Sequence, residues 1–361
     1  MSADQGDDQI LAAAAARYRL EAFLSVDMVG SSAFKFSTAI AGGTEERDET
    51  GSEGWSQAIR KFYATFHQTF LKKTRIRFGA ENRVRLWKAL GDELVYRFTV
   101  TDLADTAGIV NDFILALHQT RQVVREISRS LDLKACGWVA DFPARNMMID
   151  LDGLRETDQF LDEMAEGAGE GIQDFIGPSM DTGFRLGRFA TRRKMVLSVE
   201  LAALLAESDA QQRLPFCFGY DGREALKGIL GGEAYPLIWI DTEDDPGRKI
   251  ADRREAAMLQ MRSEVQAAAV AEFCLGYIDA SDWMERPFLR GGSGAFDTVP
   301  TSHIDQARRG RALQAREDRL YAEAAPLAAA AQSDLSVTSV DLIGDMPAPA
   351  GRGDRPREDG A

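Results

Sequence analysis

Two aspartates stand next to glycines at the ends of apolar, strand-like runs. Asp27 closes the run that begins at Phe23, and Asp92 follows Gly91 between two further apolar runs. Read singly, Asp27 is typical of a helix N-cap and Asp92 of a hairpin turn. Two carboxylates offered together from neighbouring strand ends form a hard-oxygen site of the kind that Mg²⁺ or Mn²⁺ prefers. The pair therefore predicts a divalent-metal site.

The residues that follow Asp27 offer a place for phosphate. Gly30, Ser31 and Ser32 stand at the start of a predicted helix, where backbone N–H groups point outward and attract an anion. A metal site next to a phosphate site is what an enzyme acting on nucleoside triphosphates requires. The sequence contains no Gly-x-x-x-x-Gly-Lys-Ser/Thr loop, so a P-loop enzyme is not indicated.

The elements that must position these residues alternate between strand and helix patterns. The first part of the chain predicts, in order, a buried strand, a helix with Phe62, Phe66 and Phe70 on one face, a two-stranded hairpin, a long helix and a strand. These elements cover Glu21–Asp27, Trp55–Lys73, Arg83–Lys88 with Glu93–Val100, Thr101–Arg129 and Leu133–Phe142. A helix from Pro178 to about Thr191, a strand over Lys194–Val199, a helix over Glu200–Ser208 and a strand over Ala234–Asp241 follow. The order predicts an α/β (α+β) fold with a ferredoxin-like βαββαβ core.

Composition bounds the rest of the chain. The 361 residues are 45% hydrophobic, which is enough for one large domain and an extension. We predict an N-terminal leader over 1–18, a main domain over 19–245, a helical C-terminal extension over 246–335 and a disordered tail over 336–361. The net charge of −14 argues against binding to nucleic acid or to an anionic membrane surface.

The cysteines and the N-terminus indicate the compartment. Cys136, Cys217 and Cys274 are scattered in apolar stretches, as expected of reduced, buried thiols. The first residues are acidic rather than basic, unlike a signal peptide, and no apolar run approaches the roughly 20 residues that span a bilayer. We therefore expect a soluble, cytoplasmic protein.

Four sequence blocks, in this order and spacing, resemble the signature of class III nucleotidyl cyclases. They are Phe23–Ser31, Lys88–Asp92, Asp174–Arg185, and Leu226–Gly228 with the closing strand Tyr235–Trp239. The resemblance covers about residues 19–242 and implies a cyclase catalytic domain that converts a nucleoside triphosphate to a 3′,5′-cyclic nucleotide and pyrophosphate. The C-terminal third has no counterpart in it.

The resemblance also implies roles for individual residues. Asp27 and Asp92 would hold two ions of Mn²⁺ or Mg²⁺, with the carbonyl of Met28 as a further ligand. Arg185 matches the arginine that stabilises the transition state and that a partner subunit donates, so a homodimer with active sites at the interface is implied. Asp181 stands where the family usually carries asparagine, and it would bind ribose or act as a base. The implied nucleotide-binding residues are Phe23, Val29, Gly30, Ser31, Ser32, Lys88 and Asp174.

The identity of the base stays open between two readings. Lys88 and Asp174 stand where the family reads the base, and a lysine with an aspartate is the adenine-type combination. The run from Gly177 to Arg185, in contrast, is most similar to the pyrimidine cyclases of the bacterial Pycsar anti-phage system, whose product activates a separate effector protein. We predict a uridylate cyclase that makes cUMP from UTP; the alternatives are a cytidylate cyclase, an adenylate cyclase and an inactive nucleotide-binding module. Bulky side chains near the motifs would narrow a base pocket for a pyrimidine, although core packing explains them equally well: Trp87, Tyr96, Phe175 and Phe184.

Overall fold

The computed structural model describes residues 3–40, 54–79, 83–151, 155–156, 173–211, 216–258, 265–292 and 294–337. The strands are β1 (Arg19–Val29), β2 (Arg85–Leu90), β3 (Glu93–Thr99), β4 (Asp132–Phe142), β5 (Met147–Asp150), β6 (Arg155–Glu156), β7 (Gln173–Ile176), β8 (Lys194–Leu197), β9 (Phe218–Ala225) and β10 (Ala234–Asp241). The helices are α1 (Ala3–Arg17), α2 (Ser31–Ile40), α3 (Gly54–Phe78), α4 (Leu103–Ile127), α5 (Pro178–Leu186), α6 (Val199–Ala210), α7 (Pro246–Met258), α8 (Ala267–Asp279) and α9 (Thr301–Val337).

A seven-stranded sheet organises the main body, with strand order β2-β3-β1-β4-β8-β10-β9. Neighbouring strands run antiparallel except β4 and β8, which run parallel. Its first four strands, joined through α3 and α4, have the antiparallel order of a ferredoxin-like βαββαβ unit. The predicted α/β fold is therefore confirmed. A second, three-stranded sheet has the order β6-β5-β7.

Helices cover one face of the main sheet, as the apolar pattern of α3 requires. Phe62, Phe66 and Phe70 recur every four residues and are fully buried, and Phe66 and Phe70 contact Phe113 of α4 and Tyr96 of β3. This stripe follows from the helical period alone and matches the prediction.

The other face of the sheet carries α5 and the small sheet. Side chains alternate along β4, so Trp138 points to the face opposite Gly137, which lies against Leu201 of α6. Gly183 of α5 lies directly on the Trp138 indole, and its carbonyl accepts a hydrogen bond from the Cys136 thiol at 3.6 Å. Helix α5 therefore lies on the same sheet face as the side chain of Asp27, which pairs in register with Lys134 on β4.

Five elements differ from the sequence-based expectation. Helix α5 ends at Leu186 rather than near Thr191, because the chain tightens there into a 3₁₀ turn over Gly187–Phe189. Strand β9 was missed because its glycines and Asp221 are typical of a turn, and pairing with β10 overrides that preference. The short strands β5, β6 and β7 were also missed. The N-terminal leader contains α1, and the predicted disordered tail lies outside the described residues from 338 onward.

The helical character predicted after residue 246 is confirmed by α7, α8 and α9. Helix α8 packs on α6 and buries Cys274 and Ile278. Cys136 is buried as well, whereas Cys217 is exposed, contrary to the expectation of three buried thiols. The segment before α9 returns to the main body, where the Phe288 backbone N–H donates to the Tyr18 hydroxyl at 3.1 Å. At the start of α9, Nε2 of His303 lies 2.7 Å from Oδ2 of Asp141. The described residues up to 307 belong to one compact unit, and those from 308 to 337 belong to a second.

Candidate active site

The two aspartates proposed as metal ligands lie side by side at one end of the main sheet. Asp27 lies near the end of β1, where its register partners are Glu93 on β3 and Lys134 on β4. Asp92 occupies the β2–β3 turn, and its carbonyl accepts a hydrogen bond of 3.0 Å from the backbone N–H of Met28. The hairpin therefore brings two carboxylates from distant parts of the sequence to adjacent positions.

Each of the two carboxylates faces a lysine. Oδ2 of Asp27 lies 3.1 Å from Nζ of Lys134, and Oδ2 of Asp92 lies 3.7 Å from Nζ of Lys35. Both aspartates are partly exposed, so a cation arriving from solvent could compete with these lysines. No three His, Cys, Asp or Glu side chains within the described parts of the chain are arranged to hold a metal ion. The backbone carbonyl of Met28 stays a predicted further ligand.

Glu93 is a third carboxylate that sequence reasoning did not find. It lies opposite Asp27 in the sheet, and its Oε1 accepts a hydrogen bond from the Ser25 hydroxyl. Burial raises the pKa of Glu93; the negative charge of Asp27 raises it further, while the hydrogen bond from Ser25 lowers it. The sequence did contain a signal for Glu93, because it follows Asp92 directly and begins a strand. Side chains alternate between the two faces of a strand, and the Glu93 side chain lies on the face of Asp27.

Gly30 shapes the start of α2. Its φ of +84° is a conformation that residues with a side chain rarely adopt, and a Cβ there would lie 2.4 Å from the carbonyl oxygen of Ser130. Helix α2 begins at Ser31, whose hydroxyl donates to Oδ2 of Asp92. The first N–H groups of an α-helix have no acceptor within the helix, so they can bind an anion here. The residues from Val29 to Ser32 thus lie at a helix start that is bonded to one of the two aspartates.

The proposed base-reading residues are in direct contact although 86 positions separate them. Nζ of Lys88 lies 2.6 Å from Oδ1 of Asp174, and each side chain is about one third exposed. The ammonium group also lies 4.4 Å from the centre of the Trp87 ring. The backbone N–H of Phe175 donates to the same Asp174 oxygen at 2.9 Å, which fixes the carboxylate. A donor and an acceptor are therefore presented together at the surface.

Phe23 forms part of the floor beneath this pair. Its ring is fully buried among the rings of Trp87, Trp138 and Phe175, with centroid distances of 5.2, 5.5 and 5.3 Å. The side chain therefore supports the aromatic cluster and does not reach the surface where a nucleotide would bind.

The other bulky side chains considered for the base pocket divide between the two faces of the sheet. Phe184 is 40% exposed and its ring lies 6.1 Å from that of Trp87, so it borders the surface near Lys88. Tyr96 is fully buried on the helix-covered face, where it contacts Phe66 and Phe70. Tyr96 therefore has no part in narrowing a pocket, and core packing explains it.

Arg185 and Asp181 lie one turn apart on α5 and both reach solvent. The Arg185 side chain is 37% exposed and that of Asp181 is 66% exposed, with 3.7 Å between Nη1 and Oδ1. Nε of Arg185 donates to the carbonyl of Lys227, and Nη1 donates to the carbonyl of Asp181 at 3.2 Å. The guanidinium group is therefore held beside the segment that follows β9.

The register of the sheet keeps Arg185 away from Asp27 of the same chain. In the sheet, β9 lies four strands away from β1. The Ala225–Ala234 pair lies seven residues along β10 from the level of Asp27, and Lys227 lies beyond this pair. With strand spacings of about 4.8 Å and rises of about 3.3 Å per residue, the separation is roughly 20 to 30 Å. A single chain therefore does not bring Arg185 to the aspartates.

No family model and no curated protein matches the sequence. Several solved structures are similar to the chain. The adenylyl cyclase CyaB from P. aeruginosa is 13% identical with a TM-score of 0.42, covering 63% of this chain and 96% of that one. The guanylyl cyclase Cya2 is 13% identical with a TM-score of 0.37, covering 62% and 91%, and the guanylate cyclase domain of RhGC from Catenaria anguillulae, in complex with GTP, is 10% identical with a TM-score of 0.38, covering 62% and 96%. Likenesses this low do not establish a family for the chain, and the functional interpretation depends on its own residues.

Proposed function

We propose that this protein is a class III nucleotidyl cyclase, which converts a nucleoside triphosphate to the 3′,5′-cyclic nucleotide and pyrophosphate. The observation that carries the proposal is the adjacency of Asp27 and Asp92 beside the glycine-led start of α2. Such a site can hold metal ions on the carboxylates and the β- and γ-phosphates on the helix start. Lys88 and Asp174 add a donor and an acceptor for the base.

The donor set of the site suits Mn²⁺ or Mg²⁺, two ions per active site. The carboxylates of Asp27 and Asp92 and the carbonyl of Met28 are hard oxygen ligands, and Lys134 and Lys35 already balance their charge. When bound, such ions favour loss of the proton from the 3′-hydroxyl and neutralise the pyrophosphate leaving group. The backbone N–H groups from Val29 to Ser32 orient the triphosphate.

Arg185 and Asp181 complete the chemistry in this proposal. The 3′-oxygen bonds to the α-phosphorus while the bond from that phosphorus to the pyrophosphate oxygen breaks. Arg185 stabilises the charge that develops on the α-phosphate as a fixed cation. Asp181 accepts hydrogen bonds from ribose and is available to take the 3′-proton.

We infer a homodimer with two shared active sites. Arg185 lies roughly 20 to 30 Å from Asp27 within one chain, so the arginine must come from a second copy if it serves the same nucleotide. A closed two-fold arrangement gives each copy both roles, and two equivalent sites follow.

The substrate we propose is a pyrimidine triphosphate, UTP before CTP, with ATP as the alternative. The residue types of Lys88 and Asp174 do not by themselves select the base, because uracil, cytosine and adenine each present a donor and an acceptor on adjacent edge positions; selection depends on where these two groups are held and on the size of the pocket. Size can discriminate, and Trp87 and Phe184 crowd the surface beside the pair. The resemblance of residues 177–185 to pyrimidine cyclases supports the same choice. It also supports a role in anti-phage defence, with a cyclic pyrimidine nucleotide acting on a separate effector protein.

The decisive experiment incubates the purified protein with UTP, CTP, ATP and GTP separately, with Mn²⁺, and identifies products by mass. We expect cUMP and pyrophosphate. Cyclic AMP as the sole product would reject the pyrimidine substrate but retain the cyclase. Binding of nucleotides with no cyclic product from any of them would identify the inactive binding module instead.

The metal role is tested by Asp27→Asn and Asp92→Asn. We expect each variant to keep its melting temperature within a few degrees, because partly exposed ion pairs contribute only about 0.2–1 kcal/mol, and to lose turnover and the Mn²⁺-induced rise in melting temperature. Asp282→Asn, in an exposed turn, is the matched control. Normal turnover in either active-site variant would remove the basis of the proposal.

The shared site is tested by mixing two inactive chains. Asp27→Asn lacks a metal ligand and Arg185→Ala lacks the proposed transition-state cation, but a heterodimer of the two contains one intact site. We expect activity to return on mixing, approaching one quarter of the wild-type value for statistical exchange of chains. Absence of activity after exchange has been verified would show that Arg185 does not act across an interface.

A further inference from the structure

We propose that Gln173 and Arg97 are positioning residues that set base preference by holding Asp174 in place against Lys88. This inference rests on the proposed function and extends it to residues that touch neither the metal site nor the reacting phosphate. The unusual feature is that two side chains from the β2–β3 hairpin bind the one residue that precedes Asp174.

The strand that carries Asp174 has little attachment of its own to the main sheet. Among the described residues, β7 pairs with β5 of the small sheet and with no strand of the large one. Its position over the large sheet is therefore set by side chains. Apart from the Lys88–Asp174 pair, the polar side chains that hold β7 bind Gln173. The Trp87 indole donates to the Gln173 carbonyl at 2.9 Å, and Nη2 of Arg97 donates to Oε1 of Gln173 at 2.8 Å.

An irregularity in the hairpin makes this double contact possible. The β2–β3 register shifts between Leu86 and Lys88, so Trp87 is the extra residue of a bulge. In a regular strand Trp87 and Lys88 would point to opposite faces. The bulge instead turns both toward β7, where one reaches Gln173 and the other Asp174.

The Arg97 side chain is itself fixed by contacts with other residues. Its side chain is only 11% exposed, and Nη1 lies 3.5 Å from Oε2 of Glu21, which is fully buried. The other oxygen of Glu21 accepts a hydrogen bond from the Thr99 hydroxyl at 2.6 Å. The guanidinium group also lies 5.1 Å from the centre of the Phe175 ring. A buried arginine anchored in this way can fix the side chain it binds much more tightly than an exposed one.

The consequence concerns the spacing between Asp174 and Lys88, which would read the base. Base discrimination depends on leaving a polar group unpaired when the wrong base binds, and this requires that the two groups stay fixed within a fraction of an ångström. Gln173 and Asp174 share a peptide bond, so loss of the Arg97 contact allows Asp174 to adapt to a competing base. The expected effect is relaxed specificity rather than loss of turnover.

The test compares kcat/KM for UTP, CTP and ATP in the unsubstituted protein and in Gln173→Ala. We expect the ratio between the preferred and the next substrate to fall about tenfold, which is what one charge-assisted hydrogen bond supplies, with kcat on the preferred substrate changed less than about threefold. Gln173→Glu keeps an acceptor for Arg97 and should restore the ratio. Gln211→Ala, an exposed glutamine at the end of α6, is the matched control.

The outcomes separate this inference from the proposal on which it depends. An inactive wild-type protein that binds none of the three nucleotides at equilibrium would overturn both. Wild-type turnover with an unchanged substrate ratio in Gln173→Ala would overturn the positioning role alone. The positioning role would also be overturned if Gln173→Glu failed to restore the ratio of kcat/KM values while melting at the wild-type temperature.

Discussion

Gly183 lies directly against the sheet, on the helix that bears Asp181 and Arg185, and replacing it by alanine should displace that helix. A Cβ on Gly183 would lie 2.2 Å from Cδ2 of Trp138, with two more indole atoms within 2.5 Å. Carbon atoms in contact are normally about 3.5–4.0 Å apart, so α5 or the indole must move by more than 1 Å. Trp138 is 1% exposed and stacks on Phe23, which leaves the helix as the part that shifts.

The magnitude follows from this displacement. Overpacking of a buried site costs about 1–3 kcal/mol, which lowers the melting temperature by roughly 2–4 °C per kcal/mol in a domain of this size. A shift of about 1 Å in a catalytic group can cost about 100-fold in rate, so turnover should fall far more than stability. Differential scanning fluorimetry and the cyclic-nucleotide assay measure the two effects separately.

Gly187, one turn further along, supplies the matched control. Its φ of −54° suits any residue, and a Cβ there has no atom within 4 Å, so Gly187→Ala should be neutral or stabilise by about 0.4–1 kcal/mol. If Gly183→Ala and Gly187→Ala melt at the same temperature, the close approach of α5 to Trp138 is wrong. If they also turn over equally, the position of α5 has no bearing on catalysis.

Two further predictions concern α4. Arg121 is fully buried, and its guanidinium group contacts Asp132 and three backbone carbonyls, so Arg121→Met should lower the free energy of unfolding in urea by about 3–5 kcal/mol. Arg125 contacts the same Asp132 but is partly exposed, so Arg125→Met should lower it by less than about 1 kcal/mol. Equal losses of unfolding free energy would contradict this prediction. Burial lowers the pKa of His118 from 6.5, and nearby Arg121 lowers it further, so the unfolded chain takes up a proton first as the pH falls. The stability that His118 contributes is thus fully present above about pH 6.5 and is lost as the pH falls below it. His118→Gln should therefore reduce the decline in melting temperature between about pH 7.5 and 5.5.

Periodicity and turn chemistry were enough to predict the elements that position the candidate site. The strand before Asp27, the hairpin around Asp92 and the phenylalanine stripe of α3 all follow from patterns that local sequence determines. The contact between Lys88 and Asp174 could not come from spacing, because it spans 86 residues. It was anticipated only through the resemblance to a family.

The features that escaped prediction depend on pairing between distant segments. Strand β9 exists because β10 provides its hydrogen bonds, against the preference of its own residues. The bulge at Trp87 arises from the register between β2 and β3, which no single-strand pattern encodes. The roles of Arg97 and Gln173 depend on that bulge, so their contact becomes visible only when both sheets are in place.

The strand order itself carries the argument for two copies. Asp27 and Asp92 lie on one side of β4, toward the β2 edge. The Arg185 guanidinium group lies on the other side, where it donates to a backbone carbonyl in the segment that follows β9. Moving Arg185 to the aspartates within one chain would require α5 to leave Trp138 and the sheet to lose its register. A second copy facing the first needs neither change, because two-fold symmetry can place the Arg185 region of one copy against the two aspartates of the other. In the proposed mechanism, the reacting groups therefore lie in separate regions of one chain, and association of two copies would bring them together.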